Sequence, residues 1–201
     1  MKSLIAISMV ILLAIGGLAA TLSDEEISGI LLMREEEKLA RDVYLELYEL
    51  WELRVFNNIA KAEQTHMDRM AYLVEQYNLQ DPVQEGEGIF TDNDLQNLYN
   101  ELVAKGSASM VEAIKVGMLI EELDIKDLLE LMEQTENDEL LFVYSNLERG
   151  SEKHLSAFNR QLEKYNASYD YQYISGEFAN EILSSRKIVS NKGKGFNDHY
   201  I

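Results

Sequence analysis

Four long segments of this 201-residue chain carry apolar side chains at steps of three and four residues. That spacing places the apolar side chains along one face of an α-helix. Helices are therefore predicted at about residues 24–51, 55–77, 110–133 and 138–165, each spanning ~34 Å or more at 1.5 Å per residue. No segment before residue 168 alternates apolar and polar residues as a strand does. The sequence predicts an all-α fold.

Capping residues mark the starts of two of these helices. Ser23 and Glu26 have the spacing of a capping box, in which each side chain accepts a hydrogen bond from the other residue's backbone N–H. Ser109 and Glu112 repeat this spacing before the third long helix. The local signals thus agree with the apolar periodicity.

The connections between the helices predict their arrangement. The first two long helices are joined by a very short link, and so are the last two, which favours antiparallel neighbours. Between the pairs lies a long connection, residues 78–106, which contains the only proline, Pro82, and a short helix from about residue 91 to Gly106. The prediction is a four-helix bundle over residues 21–167 with one long crossover that contains a short helix.

The two ends of the chain lie outside this bundle. Residues 1–20 have one Lys, then an apolar run, then small residues, which is the pattern of a cleaved secretory signal. An uncleaved membrane anchor over residues 4–20 is the less favoured alternative. We therefore expect an exported protein, in an extracellular, cell-surface or periplasm-like space. Residues 168–201 are predicted to be an irregular C-terminal extension with a short helical stretch near 178–183 and a frayed end over 186–194.

Composition excludes several functional classes. The net charge of −18 argues against a nucleic-acid partner, because phosphate backbones attract basic surfaces. The absence of cysteine excludes disulfides, thiolate nucleophiles and Cys-ligated metal centres. With only three histidines, any metal would be held largely by carboxylates.

Polar residues interrupt all four apolar stripes near their middles. The interrupting residues are Glu37 on the first helix, Glu63 and His66 on the second, Glu121 on the third and His154 on the fourth. Buried charges are costly unless they are paired or bound to metal, and three converging carboxylates would repel one another. Two divalent first-row ions, iron or manganese, would resolve that repulsion with one histidine for each metal. This interpretation is favoured over a metal-free polar layer.

The same residues carry a resemblance to a known family. Residues 35–44, 59–66, 117–125 and 150–155 resemble a prokaryotic family of ferritin-like domains with no assigned function, and the resemblance extends over about residues 24–185. The wider ferritin-like superfamily holds two metals with Glu, Glu-x-x-His, Glu and Glu-x-x-His on successive helices. The resemblance implies the five metal ligands named above, with Glu122 as an alternative to Glu121. It also implies that Glu121 or Glu37 bridges the metals and that Tyr44 donates a hydrogen bond to a ligand, although Tyr44 is equally typical of an aromatic core.

One residue departs from the superfamily pattern. Ser151 stands three residues before His154, where the fourth helix would carry glutamate. The remaining five-residue set resembles manganese catalases more than ferritins and leaves a coordination position open for peroxide or dioxygen. Gly117 would leave space for such an oxidant, or would allow close helix packing.

The expected function is an exported di-iron or di-manganese oxidoreductase that acts on peroxide or dioxygen. A non-enzymatic metal-binding or sequestration protein is one alternative, and a degenerate bundle that serves as an interaction module is another. Bundles of this superfamily often assemble, so a homo-oligomer also stays open.

Overall fold

The structure is a computed structural model that describes residues 22–194, with side chains as far as residue 185. The predicted signal or anchor, residues 1–20, lies outside this part of the chain, as do residues 195–201. Within the described residues, none of the helices combines the length and apolar character needed to cross a membrane.

Residues 22–194 form six helices and no strands, so the predicted all-α fold is confirmed. Their bounds are α1 Asp24–Trp51, α2 Arg54–Gln76, α3 Asn93–Gly106, α4 Met110–Glu133, α5 Asp138–Lys164 and α6 Gly176–Lys194. The first five helices follow the predicted segments to within one or two residues.

The predicted caps are formed, with one difference. At α1 the Ser23 hydroxyl accepts from the Glu26 backbone N–H, and the Glu26 carboxylate accepts from the Ser23 backbone N–H. At α4 the Ser109 hydroxyl accepts from the Glu112 N–H, but the Glu112 side chain pairs with Lys115 instead of returning to Ser109. The second capping box is therefore only half formed.

Each of the four long helices packs against two of the others. Helix α1 contacts α2 and α4, and α5 contacts the same two helices. The predicted antiparallel arrangement of α1 and α2 is present, because Tyr44 packs on Phe56 beside the short link while Arg34, farther from it, donates to the Met67 carbonyl. The contact between Tyr44 and Glu121, together with that between Glu26 and Thr135, makes α4 antiparallel to α1 as well.

Helices α2 and α4 consequently run in the same direction, so the chain must return along the bundle between them. Residues 77–109 make this return, and α3 packs against α1 and α4 on the way. The crossover is fastened by Lys38, whose buried ammonium donates to the Asp42 carboxylate and to the carbonyls of Gly86 and Ile89. Asp42 also accepts from the Gly88 backbone N–H.

The C-terminal extension is more helical than predicted. Where a short stretch at 178–183 and a frayed end were expected, α6 extends from Gly176 to Lys194. Ala179 and Ile182 are buried at 0% and 2% exposure, and Ile182 belongs to the main apolar cluster. Packing of this small apolar face stabilises a helix whose own sequence signal is weak.

The apolar core consists of two clusters with a polar layer between them. One cluster contains Tyr44, Phe56 and Phe158, and the other contains Met33, Met70, Tyr144 and their neighbours. The polar layer contains the side chains that interrupt the four stripes.

Candidate metal centre

The structure brings all five predicted metal ligands together in the middle of the four long helices. Helix α1 contributes Glu37, α2 contributes Glu63 and His66, α4 contributes Glu121 and α5 contributes His154. The three glutamates have no exposed surface, and each histidine is 9% exposed. The centre is thus almost completely enclosed, and its small exposed fraction belongs to the two imidazoles.

These residues form two groups that share one carboxylate. Glu37, Glu63 and His66 place one oxygen or nitrogen each within 4.8 Å of one another, and Glu63, Glu121 and His154 do the same. Glu63 belongs to both groups, so it is better placed to bridge two metal ions than Glu37 or Glu121, the two residues favoured from the sequence.

The distances within the groups are short. His66 Nδ1 lies 2.8 Å from Glu63 Oε2 and 3.1 Å from Glu37 Oε2. His154 Nδ1 lies 2.8 Å from Glu63 Oε1 and 3.4 Å from Glu121 Oε2. The two imidazole rings stack with their centroids 5.6 Å apart. Both histidines thus direct the same ring nitrogen towards the shared carboxylate.

Several of these atoms make no well-aligned hydrogen bond among the described residues, although the Glu63 oxygens and His154 Nδ1 have ion-pair contacts. They are Glu37 Oε1, both oxygens of Glu63, Glu121 Oε2 and His154 Nδ1. Buried polar atoms without partners are uncommon in native proteins and call for an explanation. Oxygen and imidazole donors that converge in this way suit a pair of first-row metal ions, so the residues present fit the predicted cofactor.

Burial and mutual charge shift the pKa values of the whole group. Burial raises the pKa of Glu37 to about 7 against the opposing effect of His66, and burial with the charge of Glu63 raises that of Glu121 to about 7. Burial also opposes ionisation of Glu63, but His154 and His66 outweigh it and lower the pKa of this carboxyl. Burial opposes protonation of His66, yet Glu37 and Glu63 raise the imidazole pKa to about 10. In the absence of metal, the centre is an ionic network around Glu63.

Tyr44 is both a core aromatic and a neighbour of the centre. Its ring packs between Phe56 and Phe158, with centroid distances of 6.1 Å and 5.3 Å, and it is fully buried. Its hydroxyl donates to Glu121 Oε1 over 2.7 Å. The two interpretations of Tyr44 from the sequence are therefore compatible.

The structure separates Glu121 from its neighbour Glu122. Glu122 is fully buried but points to the C-terminal segment, where it accepts from the Tyr169 hydroxyl and from the backbone N–H groups of Gln172, Tyr173 and Ile174. Four donors satisfy this carboxylate, so Glu121 is the member of the pair that belongs to the centre.

Two glycines and a serine shape the surroundings. A Cβ atom at Gly117 would lie 2.6 Å from the Phe158 ring, so this glycine permits close packing and leaves no space for an oxidant. A Cβ atom at Gly150 would lie 2.5 Å from Cε1 and Nε2 of His66. Ser151 is buried, and its hydroxyl turns back towards the Leu147 carbonyl at 3.4 Å.

Sequence reasoning missed the role of Gly150. A glycine inside a helix costs about 1 kcal/mol relative to alanine, so its position four residues before His154 was a usable signal. It also missed Glu36 and gave Asp124 little weight. Glu36 Oε2 and Asp124 Oδ2 are buried and lack partners within the described chain. Burial and neighbouring carboxylates raise the pKa of Glu36 to about 8 and raise that of Asp124 strongly.

Comparison with known proteins places the chain in a family. Residues 26–186 match the model of an uncharacterized protein domain, DUF2202. The chain belongs to this family. It is 52% identical over 165 residues to an uncharacterized protein, MJ0754, of Methanocaldococcus jannaschii, and the match covers 82% of this chain and 89% of that protein. The predicted membership of a family without assigned function is confirmed, whereas its ferritin-like character stays a prediction.

A solved structure has the same fold. The crystal structure of the hypothetical protein MJ0754 from Methanococcus jannaschii aligns with a TM-score of 0.80 and 51% sequence identity. The alignment covers 81% of this chain and 94% of that one. Neither comparison assigns an activity to this DUF2202 domain.

Proposed function

We propose that this DUF2202 protein is an exported, ferritin-like di-metal carboxylate protein that acts as an oxidoreductase on peroxide or dioxygen. The observation that carries the proposal is the pair of buried Glu/His groups that share Glu63. A polar layer of this kind would be expensive to bury without a cation, because several of its carboxylate oxygens have no hydrogen-bond partner among the described residues.

The topology supports the ferritin-like part of the proposal. Ferritin-like folds are four-helix bundles with one long crossover and with ligands that project inward from facing helices. Here α2 and α4 run in the same direction, and residues 77–109 connect them along the bundle. The order of the candidate ligands along the chain follows the superfamily pattern on the first three long helices.

Each metal would have its own ligands and one shared ligand. Glu37 and His66 would hold one ion, Glu121 and His154 would hold the other, and Glu63 would bridge them. Bound iron or manganese would supply a redox couple and an open position for a small oxidant. The hydroxyl of Tyr44 would hold Glu121 in orientation, as hydrogen bonds to metal ligands do.

Ser151 favours one alternative function. A ferritin-like centre with a complete set of six ligands has a glutamate at this position, but the buried Ser151 hydroxyl is turned to its own helix. The smaller ligand set suits a protein that binds or sequesters a divalent ion without turnover. Metal ions, peroxide and dioxygen are thus the proposed partners, and nucleic acid is not among them. Export rests on the apolar pattern of residues 1–20.

The decisive experiment is elemental analysis by plasma mass spectrometry. The protein is expressed without residues 1–20 and purified without chelators, and the Glu63→Gln variant serves as the matched control. We expect about two iron or manganese ions for each wild-type chain and fewer than one for the variant. Consumption of hydrogen peroxide by the loaded wild-type protein would then separate an enzyme from a sequestration protein.

The opposite result is equally clear. If the wild-type chain binds neither ion, even after anaerobic reconstitution with both, the metal centre is refuted. The bundle would then carry a buried ionic network with no metal, as expected for a degenerate interaction module.

A further inference from the structure

The face of the bundle between α1 and α4 carries an acidic groove. The groove has a volume of about 550 Å³ and lies near the start of α1 and the end of α4. Four of its lining residues are acidic and none is basic; the acidic ones are Asp24, Glu25, Asp127 and Glu130. Such a surface attracts cations.

The acidic character continues from the groove to the metal centre. On α1, Glu36 follows the lining residue Leu32 by four residues, and on α4, Asp124 precedes the lining residue Asp127 by three. Residues three or four apart lie on the same face of a helix, so both side chains extend the groove inwards. Glu36 adjoins Glu37, and Asp124 lies one helical turn from Glu121, so these two acids stand beside the candidate ligands.

Glu36 and Asp124 each have a buried carboxylate oxygen without a hydrogen-bond partner among the described residues. Asp124 is 3% exposed, and its Oδ2 has no hydrogen-bond partner among residues 22–185. Oε2 of Glu36 is likewise buried without a hydrogen-bond partner among these residues. A carboxylate oxygen left in this state inside a protein is stabilised when a cation passes or binds.

A cationic group already lies on the carboxylates at the edge of the groove. The ammonium of Lys126 lies 2.8 Å from Asp127 Oδ1 and 2.9 Å from Glu130 Oε2. These two acids are therefore oriented so that they hold a positive charge at the surface. An arriving metal ion would compete with Lys126 for the same oxygens.

The opposite face has a different chemistry. Between α2 and α5 lies a groove of about 430 Å³ whose lining has two acidic residues, Asp68 and Glu139, and one basic residue, Arg69. Tyr72 and Phe142 also line this groove and are 57% and 64% exposed, so exposed apolar side chains occupy much of it. This face therefore attracts cations less strongly than the α1/α4 groove, whose lining has four acids and no base.

We infer that the α1/α4 face is the entry route by which divalent cations reach the centre. Asp127 receives the ion at the groove, and Glu36 and Asp124 form a transit pair that passes it to Glu37 and Glu121. This inference rests on the proposed metal centre and adds a site next to it. Its ligands are carboxylate oxygens alone, which exchange hard or borderline divalent ions readily.

The test measures the rate of metal uptake separately from its extent. Metal-free protein is mixed with cobalt(II) in a stopped-flow instrument, and the visible absorbance of the bound ion is followed. Glu36→Gln and Asp124→Asn should each slow uptake by about tenfold or more, because each removes a carboxyl group that would coordinate the ion in transit. The final number of bound ions should equal that of the wild type. The control is Asp68→Asn on the α2/α5 face, which also converts a carboxyl group to an amide and should leave the rate unchanged.

A variant with the opposite effect protects the test against misfolding. Lys126→Gln removes the competing ammonium and should accelerate uptake, which a damaged fold would not do. Unchanged rates in Glu36→Gln, Asp124→Asn and Lys126→Gln would overturn the entry route while leaving the metal centre intact. A lower final metal count in folded Asp124→Asn would make Asp124 a ligand of the centre and would also overturn it. Failure of the wild-type chain to bind cobalt(II) would instead refute the centre itself, and the route with it.

Discussion

Replacement of Gly150 by alanine would move an imidazole without changing any candidate ligand. The new Cβ atom would lie 2.5 Å from Cε1 and Nε2 of His66, whereas ordinary contact begins at 3.4 Å. The ring must therefore retreat by about 0.9 Å, since helix packing fixes the backbone on both sides. Nδ1 of His66 lies 2.8 Å from Glu63 and 3.1 Å from Glu37. A movement of this size therefore disturbs the group formed by these three residues.

Gly150→Ala should affect metal affinity and the stability of the metal-free fold to different extents. Changes that reorient a metal ligand typically weaken affinity by about 10- to 100-fold, and we expect this loss for one of the two ions. The stability of the metal-free fold should change less, because overpacking costs about 1–3 kcal/mol and the gain in helix propensity returns about 1 kcal/mol. Gly150→Ala should therefore damage metal binding more than folding.

The assay is a titration of metal-free protein with manganese(II) against a competing chelator, combined with thermal unfolding. Gly29→Ala is the matched control, since its Cβ atom would also lie 2.5 Å from a neighbour, but that neighbour is the flexible Leu131 side chain. Wild-type affinity of Gly150→Ala for both ions would refute a role of Gly150 in placing His66. An equal loss of affinity in Gly29→Ala would refute it as well.

Three further predictions concern the charged residues. Glu121→Gln should keep the ion held by Glu37 and His66, whereas Glu63→Gln should lose both; equal metal counts by mass spectrometry would contradict a shared carboxylate. Glu122→Ala removes the acceptor of four hydrogen bonds and should speed hydrogen exchange in residues 168–185 without changing the metal count; unchanged exchange would refute its fastening role. The metal-free protein should lose stability between pH 5 and pH 8, because a pKa raised from 4.5 to about 7 means that folded Glu37 and Glu121 bind more protons than the unfolded chain. Each such carboxyl group lowers the free energy of unfolding by about 2–3 kcal/mol across this range, and urea titrations at several pH values that show a flat or rising stability would contradict it.

Local sequence signals were sufficient for the helices and their ends. The three- and four-residue apolar spacing and the caps at Ser23 and Ser109 depend on contacts within one turn of chain, so they can be read without a tertiary structure. Helix α6 was underestimated for the converse reason. Its stability comes from burial of Ala179 and Ile182 against the other helices, a contribution that its own residues do not reveal.

The candidate ligands were also accessible from the sequence, because a charged residue in the middle of an apolar stripe stands out in one dimension. The contacts and distances between these ligands could not be predicted from the sequence. A stripe gives the face of a helix but not the rotation of that helix against its neighbours, so Glu121 and Glu122 could not be separated until Tyr169 and its neighbours were seen to bind Glu122. The same limit concealed the shared position of Glu63 and the contact between Gly150 and His66.

The sequence by itself determined that this chain forms long amphipathic helices and that each buries a glutamate or a histidine. Periodicity and residue type alone carry that information. Only the tertiary structure decided that α2 and α4 run in the same direction, that Glu63 lies between two groups, and that Glu36 and Asp124 bury oxygens without hydrogen-bond partners among the described residues. These features depend on distances between residues far apart in the chain, which are set when the helices pack together and which no local pattern encodes.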